Sequence, residues 1–239
     1  MLEKQSVEIP QQWKMIYLVR RNPALTASEF PQAWREHSAL GKSCHNVRDK
    51  VKSVTQCSRV LENNHIIEGV SSDYDGVNLL LMSDKSATED IWSDEETLRI
   101  MRPDEPRVFA NYIKDCTVVC TEELIKDDGP TDYCLQYFLK IATGSESDTI
   151  QQVLSELLLN KQEALFYHAT KIVLNTVHGK TPPGYNYAFV IECWFNTESE
   201  IASAIGSQSI WNALGAELSS QFSIDTSVCM LTRVTHRRP

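Results

Sequence analysis

The feature that most constrains this chain is an order of elements written twice, with strands that are apolar on both sides. In the first half, 13–21 (WKMIYLVRR) reads as a strand, 28–46 as a helix, and 50–61 and 75–84 as strands. A helix over 86–101 and a strand over 111–123 follow. The second half repeats the order: strand 132–142, helix 147–160, strands 169–177 and 185–195, helix 197–220 and strand 227–235. Each half is β-α-β-β-α-β, the ferredoxin-like arrangement. In the first strand Met15, Tyr17 and Val19 point one way, and Ile16 and Leu18 the other. NLLLM (78–82) and YNYAFVIECWF (185–195) are likewise apolar on both faces. A sheet with helices on one side and water on the other alternates apolar and polar residues; these strands call for burial on both sides. Two independent domains would leave large apolar patches exposed. The pattern therefore predicts an α+β fold in which two ferredoxin-like repeats pack sheet to sheet as a single-chain α+β barrel. The repeats are placed at 1–124 and 131–239, joined by the polar IKDDGPT (125–131) with its Gly129-Pro130. Because the duplication supplies its own second half, the chain is expected to be able to stand as a monomer.

Composition narrows the function. The net charge is −9 and no long basic block occurs, which argues against nucleic acid as a partner. No run approaches the roughly 18–20 apolar residues of a membrane span, and MLEKQSVEIPQQW lacks the apolar core of a signal peptide. The seven cysteines have no regular spacing and fall mostly in apolar strand-like runs. They read as reduced core thiols of a cytoplasmic protein, and no Cys/His spacing matches a zinc site. HGKT (178–181) ends like a phosphate-binding loop, but Leu174 stands where the first glycine belongs and Pro182-Pro183 replace the helix. PGYNYAFV (183–190) is faintly similar to an RNA-recognition strand but has no basic surroundings.

The first helix carries the most chemistry. Its start is ambiguous. Thr26-x-x-Glu29 matches a capping box, whereas a start at Ser28 sets Pro31 in the first turn, where its missing N–H does no harm. The second is preferred. Phe30, Trp34 and Ser38 then share one stripe, with His37 bordering it.

Four landmarks resemble the EthD family of dimeric α+β barrel proteins. They are Phe30, Trp34, His37 and Ala39-Leu40 on the helix; YDGV (74–77) leading into the third strand; RPDEPRVF (102–109) before the last; and TEE (121–123). They span about residues 13–123, and the second half keeps the topology but almost none of them. The family histidine usually stands four residues after the aromatic, where this chain has Ser38. The resemblance implies a role on small molecules, since relatives of the fold include polyketide cyclases, dehydratases, decarboxylases, isomerases and cofactor-free oxygenases. The wider superfamily can bind haem, but no residue here argues for an axial ligand. Neither a cofactor nor a metal is expected.

His37 is the candidate general acid or base, because histidine exchanges protons near neutral pH. Tyr17, on the strand expected beneath the helix, is the candidate donor to a developing oxyanion. Trp34 would be an apolar wall, with Phe30, Ser38 and His65 completing the substrate-binding set. Asp104 and Glu105 read as surface charges beside a loop proline. Aligning the helices pairs Phe30, Trp34, His37 and Ser38 with Ile150, Leu154, Leu157 and Leu158, so only the first repeat offers polar groups. The resulting expectation is a lyase, cyclase or dehydratase-type proton-transfer enzyme acting on a small apolar carbonyl or polyketide-like compound. A cofactor-free monooxygenase and a non-catalytic small-molecule binder are the alternatives.

Overall fold

The computed structural model describes residues 11–61, 67–142, 147–160 and 164–238. Eight strands form its centre: β1 (Gln12–Val19), β2 (Val51–Arg59), β3 (Gly76–Met82), β4 (Thr117–Asp127), β5 (Tyr133–Leu139), β6 (Lys171–His178), β7 (Phe189–Phe195) and β8 (Val228–Arg238). They close into one antiparallel barrel in the order β1-β3-β2-β8-β5-β7-β6-β4. The first four strands run β4-β1-β3-β2 and the last four β8-β5-β7-β6, the same order twice. The halves do more than stack their sheets. β2 pairs with β8 and β4 with β6, so each half covers the other's open edges with hydrogen bonds. That outcome removes the unpaired N–H and C=O rows that make sheet edges a liability. β4 continues to Asp127, which draws the first residues of the expected connector 125–131 into the strand.

The helices lie outside the barrel and are shorter than the sequence pattern predicts. The run expected at 28–46 divides into α1 (Phe30–Leu40), a 3-10 turn and α2 (His45–Lys50). The run at 86–101 divides into α3 (Lys85–Asp90) and a π turn, Thr97–Met101, followed by α4 (Glu105–Val108). α5 (Ser147–Asn160) matches the expectation, and α6 (Ala164–His168) follows it. The run at 197–220 becomes α7 (Glu198–Ile205) and α8 (Ala216–Ser220), because Gly206 and Gly215 take φ of 65° and 86°, which no helix interior tolerates. The strand expected from 111 begins at Thr117, after a 3-10 turn at Ile113–Cys116. At the start of α1 the preference for Ser28 is overturned. Thr26 and Glu29 exchange reciprocal bonds, Glu29 N–H to Thr26 Oγ1 at 3.3 Å and Thr26 N–H to Glu29 Oε2 at 2.8 Å. The regular helix follows from Phe30, with Pro31 harmless in its first turn.

The strands bury both faces. Phe138, paired with Val190, and Met230 help fill the barrel interior, while Met15, Tyr17 and Val19 lie under the first-half helices. All seven cysteines are free and buried. No helix among the described residues is long and apolar enough to cross a membrane.

One charged cluster lies inside the barrel. Lys14 of β1 donates to Glu192 of β7 at 2.8 Å and also pairs with Glu122 of β4. Asn175 and Trp194 donate to the same Glu192 carboxylate at 2.9 and 3.0 Å. Burial pushes the Glu192 carboxyl up, but the Lys14 ammonium and these donors outweigh it and hold it below the usual range. A carboxyl depressed in the folded state contributes stability that is present above its unfolded value and lost as pH falls through the folded one. Removing one partner of such a buried pair is expensive. Lys14→Met is therefore expected to cost about 3–5 kcal/mol by denaturant unfolding at pH 7. Lys14→Met combined with Glu192→Gln should recover part of that loss and flatten the acid limb of the stability curve below about pH 4.5.

Candidate functional site

Between the outer face of the first-half strands and the helices above them lies a cavity of about 70 Å³. Tyr17, Trp34, His37, Ser38, Gln56 and Asn78 line it, with Trp92, Glu105 and Phe109 also on its wall. At roughly 10–15 Å³ of this volume per water, it has room for about five waters, or a one- to two-ring organic molecule. Four of the sequence-selected residues, Tyr17, Trp34, His37 and Ser38, thus meet at one space. Phe30 stands behind it, stacked on Trp34 with centroids 5.1 Å apart. His65 lies outside the described residues.

The α1 stripe explains this convergence. Phe30, Trp34, His37 and Ser38 face the sheet and are buried. Phe109 sets its edge against both Trp34 (6.0 Å) and His37 (5.4 Å). Trp34 can sit so low because Gly76 lies beneath it: a Cβ there would fall 2.6 Å from the indole and 2.9 Å from the Cys57 carbonyl oxygen. The glycine of YDGV is thus a packing requirement. The neighbouring Asp75 accepts the Arg21 N–H at 2.9 Å and pairs with the Arg21 and Arg59 side chains, which anchors the loop before β3.

Asp104 and Glu105 are not the surface charges expected from sequence. Asp104 Oδ2 is 2.9 Å from His37 Nδ1. Arg107 donates to both Asp104 oxygens, at 2.7 and 3.1 Å. The Arg107 hydrogen bonds, with help from His37, hold the Asp104 carboxyl below its ordinary value. An ionised carboxylate only accepts, so His37 Nδ1 carries the proton and donates it. Nε2 is then the lone-pair nitrogen, and it has no partner among the described residues. Burial holds the His37 imidazole below its ordinary value, and Arg107 adds to this; Asp104 opposes both but does not overcome them. The result is an oriented, neutral imidazole, the form a general base requires.

Glu105 is only 4% exposed. It accepts the Ile113 N–H at 2.9 Å, and burial raises its carboxyl above the ordinary value. Tyr17 is raised well above the usual phenol range by burial and by the charge of Glu105, so it is a hydroxyl donor and not a phenolate. The signal for these acids was present in RPDEPRVF. Flanking prolines and arginines made the segment resemble a solvated loop, when the 67-residue separation from His37 is closed by the fold.

A larger cavity, about 490 Å³, opens at one mouth of the barrel around Lys14, Glu122 and Glu192. Its charges answer one another: Lys14 pairs with both glutamates, Lys171 with Asp127 and Arg237 with Asp132. It shows no oriented base comparable to His37. Haem does not fit the His37 cavity, which is too small for the macrocycle. On the matching face of the second half Ile150, Leu154 and Leu158 are packed solid. No group of three or more His, Cys, Asp or Glu side chains among the described residues could hold a metal ion. His178, at the start of HGKT, instead bonds Thr121 Oγ1 at 2.7 Å.

Neither a protein-family model nor a curated protein sequence matches the chain. Solved structures do. An anthrone oxidase-like protein superposes with a TM-score of 0.63 at 13% identity, covering 97% of this chain and 94% of the other. A candidate monooxygenase from Fusobacterium nucleatum gives 0.54 at 6% identity, covering 95% and 93%. A candidate chlorite dismutase gives 0.51 at 9% identity, covering 94% and 95%. The fold is that of the dimeric α+β barrel proteins, with both halves of the barrel in one chain.

Two outcomes follow from this geometry. Gly76→Ala should lower stability by about 1–3 kcal/mol in denaturant, as overpacking under a fixed indole does. The second concerns pH. The unfolded chain protonates His37 near 6.5 while the folded chain resists, so stability attributable to this residue declines as pH falls below about 6.5. The loss of stability between pH 7.5 and 5.5 should accordingly be smaller in His37→Gln than in the native chain.

Proposed function

We propose that this chain is a small-molecule enzyme that removes a proton from an apolar, enolisable carbonyl compound of one or two rings. The observation that carries the reading is the His37–Asp104 pair at the wall of an aromatic-lined cavity. Nε2 takes the proton from the carbon beside the carbonyl. Asp104 holds the ring in the competent tautomer and stabilises the imidazolium that forms. Tyr17 donates to the oxygen on which negative charge develops. Trp34, Phe109 and Trp92 exclude water and favour a flat apolar substrate.

The carbanion then has two fates. Addition of molecular oxygen gives a hydroperoxide at that carbon, and loss of water leaves a ketone: a CH₂ and O₂ become C=O and H₂O. We adopt this oxidase reading, since solved neighbours of the fold carry oxidase-like and monooxygenase names. Elimination or cyclisation is the second reading, and Glu105 favours it. A carboxyl that burial raises above its ordinary value, on the same cavity, can in its protonated form deliver a proton to a departing hydroxyl. Two ferredoxin-like repeats at 1–124 and 131–239, the first similar to EthD proteins, account for the repeated strand order and for a polar helix-side cavity in the first half alone.

The bicyclic ketone 2-tetralone tests the first step. The protein should accelerate exchange of its α-protons in D₂O, read by NMR, and His37→Ala should slow that exchange by about 10²–10⁴. The variant should also lose roughly 1–3 kcal/mol of stability, because it strips a buried hydrogen-bond partner from Asp104. Oxygen uptake matching substrate loss supports the oxidase reading, and exchange without uptake supports the lyase. An exchange rate that His37→Ala leaves unchanged would return the protein to the class of binders.

A further inference from the structure

We propose that Tyr17, Asn78 and Gln56 form a polar rail that selects a substrate ring bearing two oxygens in a meta relation. The inference rests on the reading that the His37 cavity is the substrate site, and it names the substrate class of that site. The three residues stand side by side on β1, β3 and β2: Tyr17 is paired in register with Asn78, and Asn78 with Gln56. All three line the cavity floor opposite His37.

Two of these side chains are unsatisfied. Gln56 is 1% exposed and Asn78 4%, yet Gln56 Oε1 and Asn78 Oδ1 have no hydrogen-bond partner. The Gln56 amide cannot be turned to repair this. Its Nε2 donates to the Trp34 carbonyl oxygen at 3.4 Å, and a flip would set two oxygens against each other. The Tyr17 hydroxyl likewise has no partner among the described residues. Buried unpaired acceptors weaken a fold, so their retention calls for a reason.

The second half supplies the comparison. The same register positions on β5, β7 and β6 are Tyr137, Ile191 and Leu174. There the tyrosine hydroxyl is satisfied, donating to the Ile210 carbonyl oxygen at 3.2 Å, and the two amides are replaced by aliphatic residues. This scaffold therefore accepts an apolar row at these positions, and the polar row is confined to the cavity that holds His37.

The rail also sets a spacing. Neighbouring strands lie about 4.8 Å apart, so these three side chains leave the sheet at that interval. Meta oxygens on an aromatic ring are separated by nearly the same distance, whereas ortho oxygens are much closer. Hydroxyls on such a ring donate to the Gln56 and Asn78 oxygens, and Tyr17 donates to the carbonyl or phenolate oxygen.

The test is binding, by calorimetry or tryptophan fluorescence, of 1,3-dihydroxynaphthalene, 2,3-dihydroxynaphthalene and 1-naphthol to the full chain. The native protein should bind the first at least about tenfold more tightly than the other two, since each unanswered buried acceptor carries a penalty of that order. Gln56→Leu and Asn78→Ile, which install the residues of the second half, should bring the ratios toward one while leaving the thermal midpoint equal or higher. His37→Ala should keep the ratios. Equal affinities in the native protein, no binding of the first probe, or ratios that survive both substitutions would overturn the proposal. The native protein alone reports both the ratio and the exchange of 2-tetralone, which carries one oxygen. Failure of the rail and failure of the proton-transfer reading are thus separate results.

Discussion

Neither half of this protein can stop at four strands. A sheet ordered β4-β1-β3-β2 ends in two bare edges, and the partner half ends in two more. The β2–β8 and β4–β6 pairings satisfy all four at once. The rest of the architecture follows from that closure. The inner faces must become a shared core, so the strands carry apolar residues on both sides. The few polar groups sealed inside must find partners there, which is why Lys14, Glu122, Glu192, Asn175 and Trp194 form one cluster drawn from four strands. With every strand paired within one chain, the helices are free to differ between halves without endangering the barrel.

That freedom has been used unequally. Over the second-half sheet, α5 presents Ile150, Leu154 and Leu158, each of which gains roughly 1.5–3 kcal/mol from burial. Over the first-half sheet, α1 presents His37 and Ser38 at the equivalent turn, and a cavity remains. One half spends its helix on cohesion and the other forgoes some of it to hold polar groups out of water.

How far the sequence reveals this depends on distance along the chain. The strands were legible because two-sided hydrophobicity is a local pattern, and their duplication is a repeat of that pattern. The α1 stripe was legible for the same reason, and Tyr17, Trp34, His37 and Ser38 meet at one cavity. Helix length was less legible. Gly206 and Gly215 mark real breaks in the expected 197–220 helix, but a glycine inside a periodic run shows its positive φ only once the fold requires it. The acids were misread altogether. Asp104 and Glu105 sit between prolines and arginines, a solvated context locally, and only the packing of α4 against α1 turns one toward His37 and buries the other. The closure of the barrel was also beyond a face-to-face picture, since edge pairing joins residues 55 apart in Thr121 with Thr176 and 180 apart in Gln56 with His236.

The electrostatics of the His37 cavity follow from the same geometry. Burial alone would make His37 neutral but would leave its tautomer undecided. A carboxylate alone would orient it but would favour the charged form. Asp104 does the first task of orientation while Arg107 draws off much of its charge, at 2.7 and 3.1 Å, so that burial still prevails on the imidazole. Glu105, one residue on, points inward: Arg102 pairs with it at 3.5 Å and lowers its carboxyl, but burial outweighs this and holds it up. Adjacent carboxyls thus acquire opposite character from the direction in which one short helix turns them. Asp104, held low behind the imidazole, and Glu105, held high on the same wall, are adjacent carboxyls whose surroundings push their pKa values apart.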